Sequence, residues 1–226
     1  MRVLVLAPHA DDEVLGMGGT MARLAAEGHE VVLAVLTGHG PRPNPLGPPG
    51  GWERVREECR EAAAVLGVAE VHFRELPAAF LDVTPAHEIN GTVREVIASV
   101  SPEEVYVPFM HDMHRDHDAV SYGALVSCRP YLPSARGIRR VLAYETLSET
   151  HLPPAYLVPG FQPNVFVNIS ETLERKLEAM SMYRSQLQPD NMPRSLSSLR
   201  ALASLRGSHI GCAAAEAFVL LGDYQR

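Results

Sequence analysis

Only three cysteines, Cys59, Cys128 and Cys212, occur in 226 residues. Their odd number and wide spacing exclude a disulfide framework and any CxxC motif. Reduced thiols of this kind are expected in the cytoplasm. Positive charge is also scarce: 20 Lys and Arg stand against 27 Asp and Glu, a net charge of −7, and the basic residues do not cluster. Nucleic acid and anionic membranes are recognised through basic clusters, so neither is expected as a main partner. No apolar run approaches the roughly 18 residues of a spanning helix. The opening "RVLVLAP" carries no basic region and no small-residue cleavage site, so no signal peptide is expected. A GxSxG nucleophile setting is missing too, which leaves Ser121, Ser148 and the cysteines as surface hydroxyls and core thiols. Repeats, low-complexity tracts and internal boundaries are lacking, and residues 1–226 read as a single domain.

What is present is an alternation of short apolar strands with amphipathic helices. "RVLVLA" (2–7) and "EVVLAVLT" (30–37) are continuous apolar runs of the kind buried on both faces of a parallel sheet. The helix between them carries Met17, Met21, Leu24 and Ala25 on one face and stops at Gly28, which completes a βαβ unit. Further strands are expected at 70–76, 103–109, 137–145 and 164–170. Helices are expected at 52–68, 86–100 and 170–187, the last capped by Ser170, and shorter ones near 195–206 and 213–218. The Gly- and Pro-dense stretch 38–51 cannot be regular structure. This pattern predicts an α/β, Rossmann-like three-layer sandwich with a mostly parallel sheet. In the strand order 3-2-1-4, ligands bind in the crevice between the first and fourth strands.

Two acidic, histidine-bearing segments fall at those strand ends: "PHADDE" after the first strand and "HDMHRDH" after the fourth. A catalytic metal site wants three His or carboxylate ligands and an open position. His9 and Asp12 stand three residues apart, as do His114 and His117, and one or both of the latter could complete the set. Asp11, beside a ligand and not required as one, is the natural general base. Acids at a helix start also complement its dipole, but that explains neither His9 nor the strand-end position. Gly16, Gly18 and Gly19 form GMGGT and not GxGxxG. The acids occupy the place of a pyrophosphate, so a dinucleotide is rejected. The glycines instead let the first helix pack closely on the sheet.

These segments resemble the LmbE-like, or PIG-L, family of zinc-dependent N-acetylglucosaminyl deacetylases, whose usual motifs are (A/P)HPDDE and HPDH. Ala10 and Arg115 replace prolines that supply no ligand. "RVREECREAAAVLGV", "KLEAMSMYRSQ" and "RGSHIGCAAAEAF" resemble the family's later signatures, with Ala214 where tyrosine is common. The resemblance implies that His9, Asp12 and His117 bind zinc, with iron or cobalt as competitors for such a site. It implies Asp11 as general base, His114, if protonated, as the group assisting the oxyanion, and Arg56 as a substrate contact. Glu13 either binds a sugar hydroxyl or caps the helix. Asp112 is expected to orient His114, Asp116 to orient a ligand, and His111 to be structural. The implied activity is removal of the N-acetyl group from a GlcNAc-containing small molecule. The alternatives are cleavage of a larger acyl group, as in thiol-conjugate amidases, and a non-catalytic sugar- or metal-binding protein. The 38–51 loop is expected at the substrate mouth. The resemblance also allows a homo-oligomer, a trimer or hexamer as in several relatives.

Overall fold

The computed structural model describes residues 1–39 and 51–225. Its elements run β1 (Arg2–Ala7), α1 (Asp12–Ala26), β2 (Glu30–Gly38), α2 (Gly51–Leu66), β3 (Glu70–Pro77), α3 (Ala86–Val100) and β4 (Glu104–Pro108). After them come α4 (Arg115–Ser127), β5 (Arg140–Tyr144), β6 (Val165–Asn168), α5 (Leu173–Met182), α6 (Leu196–Ser208) and β7 (Ala215–Asp223). The seven strands form one sheet in the order β3-β2-β1-β4-β5-β7-β6. The first five in that order are parallel neighbours, and β7 runs antiparallel between β5 and β6. The expected α/β sandwich and the reversal between β1 and β4 are both present. Apolar strand residues alternate between two cores. Val3, Val5 and Leu33 face α1, α2 and α5, while Leu4, Leu6 and Val32 face α3 and α4. Among the described residues, no helix is long and apolar enough to cross a membrane.

Helix α1 shows why the glycines are there. A Cβ on Gly16 would collide with the Tyr144 ring, and one on Gly19 would lie 2.6 Å from Ile169 Cδ1. The helix also kinks at Met17 (φ −149°, ψ 23°), which leaves the amides after the kink without helical partners. Glu216 from β7 supplies them: its carboxylate accepts from Gly19 N at 3.0 Å and Thr20 N at 2.6 Å. Lys176 from α5 pairs with Glu216 at 2.6 Å and donates to Leu15 O at 3.0 Å.

Three expectations are corrected. Residues 213–218 are not a helix; most of them open β7, because pairing with both β5 and β6 outweighs the helix preference of an alanine-rich stretch. Helix α5 ends at Met182 and not at 187, since Tyr183 leaves the helical conformation (ψ 60°). Its N-cap is Thr172, whereas the Ser170 hydroxyl is engaged with Asn168.

Candidate metal centre and active-site cleft

The ends of β1 and β4 open into a cleft of about 770 Å³, with the start of α2 on one wall. His9, Asp11 and Asp12 leave β1, and His114 and His117 arrive from the start of α4. The two segments, about a hundred residues apart in sequence, meet there. Asp12 Oδ2 lies 3.2 Å from His9 Nδ1 and 3.2 Å from His117 Nε2. Ligand atoms on a tetrahedral zinc at ordinary bond lengths are separated by about 3.3 Å, so the spacing suits a shared ion. The outer nitrogens are held as metal-binding imidazoles usually are: His9 Nε2 by Asp116 at 2.9 Å, His117 Nδ1 by Asp112 at 2.9 Å. Asp116, fully buried, is fixed in turn by the amides of Ala79 and Leu81.

Asp116 therefore orients His9. Asp112 does not orient His114; it holds His117, with Thr150 donating to the same oxygen at 3.1 Å. The reason is that His114 is the N-cap of α4, and its Nδ1 accepts the Asp116 amide at 3.2 Å.

The donor atoms of His9, His114 and His117 lie within 4.8 Å of one another. His114 is set apart by its hydrogen bond. A neutral imidazole that accepts at Nδ1 carries its proton at Nε2 and is there a donor, not a ligand. Burial, and then the charge of His9, push His114 down to about 4. With Nδ1 accepting an amide, the ring is held in its neutral form in this arrangement, so the condition that it be protonated is not met.

Burial alone would lower His9 and His117. Hydrogen bonds to Asp116 and Asp12 lift His9 to about 9, and the charge of Asp12 with the bond to Asp112 lifts His117 to about 10. Against its own burial, Asp12 is held well below the carboxylate range by the same imidazoles. A cluster of buried carboxylates thus demands positive charge where His9, Asp12 and His117 converge. A divalent cation supplies it, and the residues fit a metal ion.

Asp11 stands beside this point, 3% exposed, with a backbone φ of 122°. Non-glycine residues hold such a conformation only where the surroundings enforce it, often at functional sites. Burial, then the charge of Asp12, raise its carboxyl to about 7, with Arg194 pulling the other way. Arg56 lines the cleft wall; its guanidinium is held by Glu75 at 2.5 Å and lies over the Phe73 ring.

Glu13, expected either to bind a sugar hydroxyl or to cap the helix, is not among the residues that line the cleft. It is 1% exposed and turned away from the cleft, where it accepts from Tyr183 Oη at 2.5 Å and from the Asp11 amide at 3.1 Å. Burial pushes it up to about 8. His111 packs its ring on Phe109 outside the cleft lining, in keeping with a structural part. Of the expected mouth loop, residues 40–50 lie outside the described residues. Its C-terminal neighbours Gly51, Trp52 and Arg54 line the cleft.

Sequence reasoning missed several cleft residues, Ser148 among them, which it read as a surface hydroxyl. Gln186 and Arg194 arrive from the segment after α5, and Glu149 from the segment after β5. The only signal was "YRSQ", read as part of a helix.

The comparisons with known proteins agree with this geometry. Residues 4–128 match the family model described as PIG-L: GlcNAc-PI de-N-acetylase. Over 199 residues the chain is 29% identical to the diacetylchitobiose deacetylase of Thermococcus kodakarensis, covering 84% of this chain and 71% of that one. Over 193 residues it is 30% identical to the uncharacterized deacetylase YaiS of Escherichia coli, covering 81% and 90%. The crystal structure of the conserved protein TT1542 from Thermus thermophilus superimposes with a TM-score of 0.78 at 27% identity, covering 99% of this chain and 96% of that one. The chain belongs to the PIG-L, or LmbE-like, family of de-N-acetylases and is an amide-cleaving hydrolase.

Proposed function

We propose that the protein is a zinc-dependent deacetylase that removes the N-acetyl group from a GlcNAc-containing small molecule. The observation that carries the reading is Asp12 Oδ2 at 3.2 Å from an inner nitrogen of both His9 and His117, each ring braced by its own aspartate. His9, Asp12 and His117 would hold the ion. When bound, zinc acidifies a water and polarises an amide carbonyl.

The remaining steps belong to side chains of this chain. Asp11 takes the proton of the attacking water. The Nε2–H of neutral His114 donates to the carbonyl oxygen as that oxygen gains charge, from a half-buried position fixed in advance by its bond at Nδ1. The amine leaves only once protonated, and Asp11 returns the proton to its nitrogen. Acetate and a free amino sugar result. A cleft of about 770 Å³ falls within the usual range for small-molecule sites and takes a sugar with its aglycone. Asp11 and His114 disfavour a merely sugar-binding protein, which needs neither.

The test is metal content per chain by elemental analysis, on wild type and His117→Ala side by side, followed by primary amine released from N,N′-diacetylchitobiose. About one zinc in wild type, largely lost in the variant, with amine release only from the former, is the expected result. Wild type that takes up no metal after incubation with zinc overturns the reading. Preference for longer N-acyl chains over acetyl would move the protein to the amidase alternative.

A further inference from the structure

The segment from Tyr183 to Ser195 is not helical, yet it is firmly anchored. Ser185 donates from both its amide and its hydroxyl to Glu58 on α2. Gln188 and Arg194 close the segment on itself: Arg194 N donates to Gln188 Oε1 at 3.0 Å, and Gln188 N to Arg194 O at 3.1 Å. Ser195 then caps α6 by accepting from Ser198 N.

Two arms of this segment end on Asp11. On one side Tyr183 holds Glu13, which accepts the Asp11 amide. On the other, Arg194 Nη1 is shared between Gln186 Oε1 and Asp11 Oδ2, each at 3.3 Å.

Asp11 is also the N-cap of α1, and an N-cap aspartate ordinarily turns its carboxylate onto the first helical amides. Asp11 makes no such side-chain bond. Its carboxylate is drawn instead to the guanidinium that lines the cleft. The Arg194 Nε is buried without a hydrogen-bond partner among the described residues, so the side chain is placed for Asp11 at the expense of its own saturation.

We propose that Arg194, set by Gln186, is a positioning residue that keeps the Asp11 carboxylate out of the helix-capping rotamer and facing the cleft. The proposal rests on the reading of Asp11 as the group that moves the proton.

Zinc-loaded wild type, Arg194→Ala, Arg194→Lys and Asp11→Asn are compared by kcat and KM on N,N′-diacetylchitobiose, by zinc content and by crystal structure. Misplacing a catalytic group by about 1 Å costs on the order of 10²-fold. Arg194→Ala is expected to lose roughly ten- to a hundredfold in kcat on that scale, with KM and zinc content close to wild type. Arg194→Lys is expected to recover part of the loss. In the Arg194→Ala crystal the Asp11 carboxylate should be found on the amides at the start of α1. A raised KM with unchanged kcat would make Arg194 a substrate contact and overturn the proposal, as would an unmoved Asp11 in the crystal. Full turnover by Asp11→Asn would instead overturn the base assignment, whatever Arg194→Ala does. If wild type leaves chitobiose intact, the crystal structures alone decide the matter.

Discussion

Helix α1 passes through two buried charge clusters that look alike in composition and differ in purpose. At its first turn Asp11 and Asp12 meet His9, His117 and Arg194. At its kink Glu216 meets Lys176. All three carboxylates and the lysine are less than 5% exposed, so burial does not tell the two apart. Saturation does. Glu216 takes two backbone amides and the ammonium, and Lys176 also reaches a carbonyl, so the charges of the kink cluster are paired and border only a cavity of about 10 Å³. At the first turn four carboxylates, Asp11, Asp12, Asp112 and Asp116, face one permanent cation, Arg194, the imidazoles are lifted to about 9 and 10 to compensate, and the cluster opens into the cleft. A buried charge cluster is functional where it is left short of a cation and open to a ligand.

This contrast can be broken in order of expected effect. Asp11→Asn should lower turnover by about 10²- to 10⁴-fold, the range for a lost general base, while zinc content and melting temperature stay near wild type. An Asp11→Asn protein that melts far below wild type would show that the first turn is structural after all. Glu216→Ala should do the reverse. It strands a buried ammonium and two amides, at a stability cost of about 3–5 kcal/mol, measured by denaturant unfolding. Turnover per folded molecule should hold. Replacing Lys176 and Glu216 together by Met and Gln should recover much of that cost, because no unpaired charge is left behind.

Smaller effects separate the parts of the metal centre. Asp116→Asn and Asp112→Asn should each weaken zinc binding by about 10- to 100-fold, the usual loss when the carboxylate behind a histidine ligand is removed. Competition with a chromogenic chelator measures this, and unchanged affinity would mean the rings need no bracing. Least of all, Tyr183→Phe should cost about 1 kcal/mol of stability, the worth of one hydrogen bond, and should leave zinc affinity intact.

The sequence was legible where chemistry is local. A strand running into "PHADDE" places His9 and Asp12 by chain geometry alone. The spacing of His114 and His117 puts both at the start of α4, and the βαβ order brings the two segments together. It was misleading where a residue's partner comes from afar. Glu13 looks like one more acid at the mouth, but Tyr183, 170 residues on, draws it into the core. Asp112 is nearer His114 in sequence, yet His114 is consumed in capping α4 and Asp112 serves His117. The alanine-rich 213–218 has helix composition, and only the vacancy between β5 and β6 makes it strand.

By itself, then, the sequence determined the α/β class and the two His- and Asp-bearing segments, because periodicity, strand ends and short motif spacings are properties of neighbouring residues; the 3-2-1-4 strand order came by analogy with Rossmann-type sheets and is present in the fold. The tertiary structure alone decided which carboxylate braces which imidazole, that His114 accepts the Asp116 amide, that Glu13 turns to Tyr183 and that Arg194 stands on Asp11. Those outcomes depend on competition among hydrogen-bond partners that become neighbours only when the sheet closes and the segment after α5 folds back over α1.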